Sequence, residues 1–406
     1  MRVLMVTPGT RGDVAPMAGL GSKLQEAGFE VAIAANAAHA PFITAVGCEH
    51  RELPGDMGPL VNPAAPGKRP SATELLRYMR ELGEYMDLAA TGTVAAAELG
   101  TDVILANSVA PYAYDVAEAL GIPAIGAHLQ PIEPSSAYPP VALGSARSLG
   151  SVGNKLLGSL VSAGKAPYDS PSARIRQSLG LAKKSRASSE RLRRKTNVPV
   201  LHGFSPTVVP TPLDWRSGLL VTGYWWPATD LGWRPATELL EFLADGPPPV
   251  FIGFGSSEAV DAEFMLDTIR GAGVRAVLQG AEGISGPGVL GIGEVPHEWL
   301  FPRMAAVVHH AGAGTAAAGL RAGVPTVSVP IYTDQPFWAT RITALGAGPQ
   351  PVPYKHLTTE RLAAAIKQAT TTPAYADKAL LVAAALATED GTAPVISALH
   401  DAARRT

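Results

Sequence analysis

The chain has 406 residues, 47% of them hydrophobic and 17% charged, with a formal net charge of −2. That length exceeds one ordinary domain and predicts two, with enough apolar residues for substantial buried sheet. The charge balance excludes a general polyanion binder, so nucleic acid is not an expected partner; Cys48, the sole cysteine, excludes an intrachain disulfide or a cysteine metal cluster.

In chain order, an apolar strand over 3–6 runs into Pro8-Gly9. It lacks the apolar core and cleavage site of a signal peptide. No apolar run is long enough to span a bilayer, and a cytoplasmic protein is expected. A helix follows over 14–27, ended by Gly28, then a strand over 31–35. A long helix over 73–99 stops at Gly100. Strands at 103–106 and 124–127 flank a helix over 112–120. Residues 130–170, rich in Pro, Ser and Gly, are expected to form long surface loops of the kind that carry binding groups. The basic run 183–195 is either a solvated face or a patch for a membrane surface or an acceptor, so membrane contact is at most peripheral. Residues 205–235 are irregular, with Pro206, Pro210, Pro212 and Pro227; their aromatic group Tyr224-Trp225-Trp226 is expected to pack between domains.

A second alternating half begins with a strand over 249–254 and a helix over 261–271. Strands follow at 274–278, 306–309 and 326–329, with helices at 335–345 and 359–369. Residues 373–405 are helical without a strand to pair with, and their end is expected to cross back to the first domain. Such alternation implies βαβ units and parallel sheets. The expected division is an N-terminal domain over 1–213, a linker over 214–235, a C-terminal domain over 236–385 and a returning helix over 386–406. A cleft between the halves, at the carboxyl ends of the strands, is where ligands bind in such sheets. A monomer or homodimer is expected.

The stretch from His309 to Gly319 carries the strongest chemical signal. A strand runs into a glycine turn, and an Ala-rich helix runs out of it. The free N–H groups and positive dipole end of a helix favour an anion, and Gly312 and Gly314 permit close approach. The run suits a diphosphate. It also fits a permissive dinucleotide fingerprint, but no clear ribose-binding acid ends the following strand. His309 and His310 point to opposite faces of a strand, and no third ligand lies at metal spacing, so no metal site is expected. One imidazole suits a phosphate and the other a structural hydrogen bond. Asp13, after the first strand, is either a helix cap or a general base; as a base it needs desolvation, since an ordinary Asp titrates near 4. Ser256, after the strand at 249–254, is either a phosphate donor or a turn serine. Asp334 and Gln335 emerge beside the diphosphate cradle and suit sugar hydroxyls, or cap the next helix with Pro336 in its first turn.

Together these segments resemble the inverting GT-B-fold glycosyltransferases of family 1, above all the sterol glucosyltransferases and the antibiotic glycosyltransferases of bacteria. The resemblance spans Gly9 to Val14, Leu201 to Pro206, Val221 to Trp225, Gly253 to Ser256, Val295 to Leu300, His309 to Thr315 and Asp334 to Ala339. It implies an α/β GT-B fold, with two Rossmann-like domains facing across a cleft. The N-terminal domain would bind the acceptor and the C-terminal domain a nucleotide sugar. Asp13 would be the general base. Thr10, Ser256, Val295, His310, Gly312, Ala313, Gly314, Thr315, Asp334 and Gln335 would bind the donor. Two departures from the plant enzymes stand out: Ala318 replaces a ribose-binding glutamate, and Glu294 replaces a base-stacking tryptophan. The resemblance therefore leaves the nucleotide open between uridine and thymidine diphosphate.

The expected reaction is a single displacement with inversion, with no cofactor or metal required. A hydrophobic small-molecule hydroxyl (a polyketide, sterol or glycoside) is the expected acceptor. His128 and Gln130 are candidates for its pocket, or for core and loop roles. A retaining pair of Asp13 and Asp334, a sugar-nucleotide epimerase and a non-catalytic partner protein are the competing readings.

Overall fold

The computed structural model describes residues 1–60, 71–228, 232–254 and 261–404. The first half carries strands β1 (Arg2–Val6), β2 (Glu30–Asn36), β3 (Glu49–Leu53), β4 (Val103–Ala106), β5 (Ala124–His128), β6 (Val200–His202) and β7 (Leu219–Val221). Its helices are α1 (Arg11–Glu26), α2 (Ala40–Ala45), α3 (Ala72–Glu98), α4 (Ala113–Leu120), α5 (Gly150–Ala163), α6 (Asp169–Ser178) and α7 (Arg186–Lys195). The second half carries β8 (Val250–Gly253), β9 (Ala276–Gln279), β10 (Ser285–Gly286), β11 (Val289–Ile292), β12 (Ala306–His309) and β13 (Thr326–Ser328). Its helices are α8 (Thr237–Ala244), α9 (Ala262–Ala272), α10 (His297–Leu300), α11 (Ala313–Ala322), α12 (Gln335–Ala344), α13 (Thr359–Thr371), α14 (Pro373–Leu386) and α15 (Ala393–Ala403).

The first sheet is parallel, in the order β3-β2-β1-β4-β5-β6-β7; the second runs β10-β11-β9-β8-β12-β13, with only β10 antiparallel. The central strands are apolar and buried on both faces, as sheets covered by helices require. In the first sheet β1 pairs with both β2 and β4, with Val3 opposite Val103. In the second, β8 pairs with both β9 and β12. The winding direction reverses between β1 and β4 and between β8 and β12. Ligands of open α/β sheets bind at such reversals, outside the strand ends.

Several elements differ from the sequence expectations. The first sheet continues through β7, which lies inside the stretch expected as linker over 214–235; the strand is wholly apolar but only three residues long, too short to leave a periodic signal. Residues 150–163, expected as loop, form α5, which packs through Asn154 and Gly158 rather than through a leucine stripe. β3 was not anticipated because its sequence, EHREL, is mostly polar at a sheet edge. The basic run 183–195 is largely α7, and Arg186 turns inward to Asp169 at 2.7 Å.

Two apolar layers sandwich the first sheet. One joins α1 and α15 to β1, β2 and β5, burying Val395 and Leu399 completely beside Val14 and Met17. The other joins α3, α4 and α6 to the opposite face. The second sheet is covered by α9 and α13 on one side and by α8, α10 and the Phe301 turn on the other. A further cluster belongs to neither sheet. Phe204, Val208, Val209 and Tyr224 from the first half meet Ala316, Leu320, Trp338 and Leu386 from the second. Polar ties reinforce that seam: Glu389 accepts from Ser205 at 2.6 Å and Thr207 at 2.8 Å, and Arg341 donates to the Val208 carbonyl at 2.7 Å.

Leu399, wholly buried between α15 and the first sheet, is expected to lose about 2–5 kcal/mol on substitution by alanine. Denaturant unfolding should show the loss in the transition of the first half.

Candidate active site

The cleft between the halves has a volume of about 2260 Å³. That is beyond the roughly 300–1,000 Å³ of a single small-molecule pocket and leaves room for two substrates. Thr10, Asp13, Val295, His310, Gly312, Ala313, Gly314, Thr315, Asp334, Gln335, His128 and Gln130 all line it. Ser256 lies outside the described residues.

Asp13 stands at the third position of α1. Its carboxylate accepts the Thr10 backbone N–H at 3.0 Å, so the residue caps its helix and faces the cleft at once. Gly9 makes that placement possible: a Cβ there would lie 2.1 Å from Asp13 Oδ2. The loop before it is anchored by Tyr85, whose single hydroxyl proton is shared between two acceptors, the Pro8 carbonyl and Asn36 Oδ1, the latter at 2.7 Å. Burial pushes the Asp13 carboxyl up to about 6, and the charge of Asp334 from the other half pushes the same way. The Thr10 N–H and the Gln130 amide pull it down. The carboxyl is therefore ionised at neutral pH and more basic than an ordinary aspartate.

The facing wall is the turn from β12 into α11. His309 is fully buried and its Nδ1 accepts the Ala311 N–H at 2.9 Å, which leaves the proton on Nε2. Burial holds this ring neutral, well below the usual imidazole range. His310 lines the cleft instead. Burial lowers it, with Asp334 opposing, and its Nδ1 is buried without a partner among the described residues. Gly312 caps α11, and a Cβ there would meet His310 Nε2 at 2.6 Å. A Cβ on Gly314 would meet only open space, so that face of the helix start is clear for a ligand. The described non-glycine residues with positive φ are Asn197, Ala311 and Thr333. Two of the three stand in cleft loops, where such strain, of order 1–3 kcal/mol, is retained to fix a turn.

Asp334 and Gln335 start α12. Asp334 accepts from Trp338 Nε1 at 2.8 Å and from Thr333 Oγ1 at 3.1 Å. Gln335 Oε1 accepts the Ile331 and Tyr332 N–H groups at 2.8 and 3.2 Å, so the amide nitrogen is what Gln335 has left to offer a ligand. Val295 follows β11 beside Glu294, whose carboxylate pairs with Arg11 across the mouth of the cleft. Both members of that pair are well exposed, where such pairs contribute little.

Of the two acceptor candidates, Gln130 sits beside Asp13. His128 is nearly buried, with its ring edge against His202 at 5.6 Å, and burial holds it well below the usual imidazole range. Sequence reasoning did not find Asn107, which follows β4 at the reversal point and lines the cleft, nor His297, stacked on Phe301 at 4.3 Å and pushed down to about 4 by burial. The strand order would have pointed to Asn107, and His297 lies within the Val295 to Leu300 run that carries the resemblance, though the resemblance gives it no role there. Among the described residues no group of three His, Cys, Asp or Glu side chains comes together to hold a metal.

Residues 3–139 match the glycosyltransferase family 28 N-terminal domain, and residues 257–401 match the erythromycin biosynthesis protein CIII-like C-terminal domain. The chain is 35% identical to the O-mycaminosyltylonolide 6-deoxyallosyltransferase of Streptomyces fradiae, over 96% of this chain and 95% of the relative. It belongs to the family 1 glycosyltransferases of GT-B fold, in their antibiotic and sterol branch. A sterol 3-beta-glucosyltransferase of Arabidopsis thaliana is 31% identical over 98% of this chain and 68% of its own length. In fold the chain resembles the spinosyn forosaminyltransferase SpnP (TM-score 0.72, 16% identity, 99% of each chain). It also resembles the glycosyltransferase VinC solved with DTDP (TM-score 0.67, 19% identity, 100% of each chain). The protein is thus a glycosyltransferase that draws its sugar from a nucleotide-diphosphate donor. No described helix is long and apolar enough to cross a membrane.

Gly9→Ala tests the placement of Asp13. The added methyl displaces the carboxylate, and turnover is expected to fall about 10²-fold, the usual effect of a 1 Å misplacement. Nucleotide binding, measured by calorimetry, should stay within about twofold if the turn into α11 on the opposite wall, which the substitution does not touch, is what holds the nucleotide.

Proposed function

We propose that this glycosyltransferase moves a hexosyl or deoxyhexosyl group from a UDP- or TDP-sugar to a hydroxyl of a lipophilic small molecule, with inversion and with Asp13 as general base. The observation that carries the proposal is the partly desolvated Asp13 carboxylate facing the open N-terminus of α11 and His310 across one cleft. The names of the relatives, an O-mycaminosyltylonolide 6-deoxyallosyltransferase and sterol 3-beta-glucosyltransferases, support a bulky hydroxylated acceptor.

Asp13 takes the proton of the acceptor hydroxyl as its oxygen attacks the anomeric carbon. The bond from that carbon to the diphosphate oxygen breaks, and its electron pair stays on the leaving group. Charge therefore grows where the N–H groups of residues 313–315 and the His310 imidazole lie. Preorganised donors aimed at developing charge are usually the largest catalytic contribution. His310 serves best through a ring N–H, since burial keeps the ring neutral. Thr10, at the start of α1, approaches the phosphates from the opposite wall, and Val295 contacts the base through its main chain. Asp334 accepts from sugar hydroxyls with the oxygen lone pairs left free by Trp338 and Thr333, and Gln335 donates through its amide nitrogen. Ser256 is proposed as a further phosphate donor on resemblance alone. Gln130 and His128 would border the acceptor.

Asp13→Asn is expected to lower kcat about 10²–10⁴-fold, with donor affinity nearly unchanged by calorimetry; near-normal turnover of an accepted alcohol sinks the assignment. Nuclear magnetic resonance of the product separates inversion from retention. The elevated Asp13 value also fixes the pH behaviour. In the free enzyme the base is lost as pH falls through about 6, so kcat/KM should drop roughly tenfold per pH unit below that point. Stability moves the opposite way. A carboxyl whose folded value is raised favours the fold below its unfolded value near 4, and that contribution is lost as pH rises through about 6. Thermal melts should therefore show Asp13→Asn gaining relative to the parent between pH 5 and pH 7.5.

A further inference from the structure

One wall of the first half's side of the cleft carries charge that the transfer step does not use. Glu133 beyond β5, Arg186, Glu190, Arg193 and Arg194 of α7, and Arg216 before β7 all line it. Most of this charge is matched internally. Glu190 takes Arg186 at 3.3 Å, Arg194, and the Ser162 hydroxyl at 2.7 Å. Asp169 takes Arg186 Nε at 2.7 Å, and Glu133 stands 3.6 Å from Arg194.

Two guanidinium groups are left over. Arg193 lies over the Tyr114 ring at 4.2 Å. Arg216 donates to Asn197 Oδ1 at 2.9 Å, and its Nε is buried without an acceptor among the described residues. Neither forms an ion pair among the described residues. Burial lowers the Arg216 guanidinium and raises the Glu133 carboxyl, while their mutual attraction opposes both shifts; Glu133 is a single carboxylate shared among Arg194, Arg216 and Arg193, which leaves the wall with a surplus of positive charge. The charge of Arg193 reaches His128, and the Gln130 amide two residues on reaches Asp13; β5 thus connects this wall to the reacting end. The same side also carries apolar lining, including Met57, Leu82, Met86, Ile132 and Val161.

We propose that Arg193 and Arg216 bind a carboxylate on the acceptor, which makes the preferred acceptor an amphipathic hydroxy acid: an apolar body, a hydroxyl at Asp13 and an acid group at the far wall. The hydroxyl end of this proposal rests on the glycosyl-transfer reading; the acid end does not. A planar guanidinium fork matches the two oxygens of a carboxylate, and a desolvated cation is costly until an anion meets it. The same wall repels an acceptor that carries an amine at that end.

The test uses the full chain saturated with TDP or UDP, and matched pairs of lipophilic hydroxy acids and their methyl esters, lithocholic acid among them. Calorimetry is expected to show the acid binding about tenfold more tightly than its ester. Arg193→Gln should remove that preference while leaving ester and nucleotide affinity unchanged, and Arg193→Lys should restore part of it. Arg216→Gln should act in the same direction, with its fold checked by thermal melting because Arg216 also holds Asn197. Absence of acid preference in every pair overturns the proposal, as does an equal loss of acid and ester binding in Arg193→Gln. Failure of the transfer reading looks different: acid preference persists, but no sugar moves.

Discussion

Trp338 is the residue through which the two halves and the chemistry are joined. Its ring is almost completely buried in the seam between the halves, edge-on to Phe204 of the first half at 6.0 Å. Its one polar atom donates to Asp334 at the cleft. The packing that sets the angle between the halves therefore also sets the orientation of a carboxylate that faces Asp13. A shift at the seam is felt at the cleft floor without any flexible intermediate, because close-packed interiors transmit displacement.

Asp13 shows how the geometry of a helix cap can also suit the base proposed for the transfer step. Capping favours a carboxylate fixed against the start of α1, and base catalysis favours one short of water. These look like competing readings in the sequence, where each predicts an aspartate near a helix start. In the structure they are compatible, since the carboxylate accepts from Thr10 while still lining the cleft. The cap keeps the carboxylate from wandering, and Gly9 provides the space beneath it.

The legible parts of the fold were those with strong periodic signals. β1, β4 and β12 are short apolar runs ending at turn residues, and α9, α11 and α13 end or begin at glycines and caps. The cleft loops were legible for the same reason: they stand at the carboxyl ends of those strands. What escaped was stabilised by distant partners. α5 is held where Gly158 lets its backbone approach Pro134 and where Asn154 caps Leu149, and neither contact leaves a periodic trace. The basic run reads in the sequence as a solvated face or a docking patch because two of the acids that meet it, Asp169 and Glu133, lie elsewhere in the chain. Ala311 and Thr333 carry strain that only the backbone reveals.

The route of the chain has a consequence for how the halves can be exchanged. It leaves the first half after β7 and returns to it at α15, and the two crossings lie side by side, with the Trp225 indole donating to the Gly391 carbonyl at 3.0 Å. Topologically, the second half is an insertion within a first half made of residues 1–221 and 393–404. A chimaera cut once, in the middle, pairs one parent's sheet with the other parent's closing helix. An exchange that respects the fold needs two junctions, one after Val221 and one before Ala393, so that the helix travels with the core it completes.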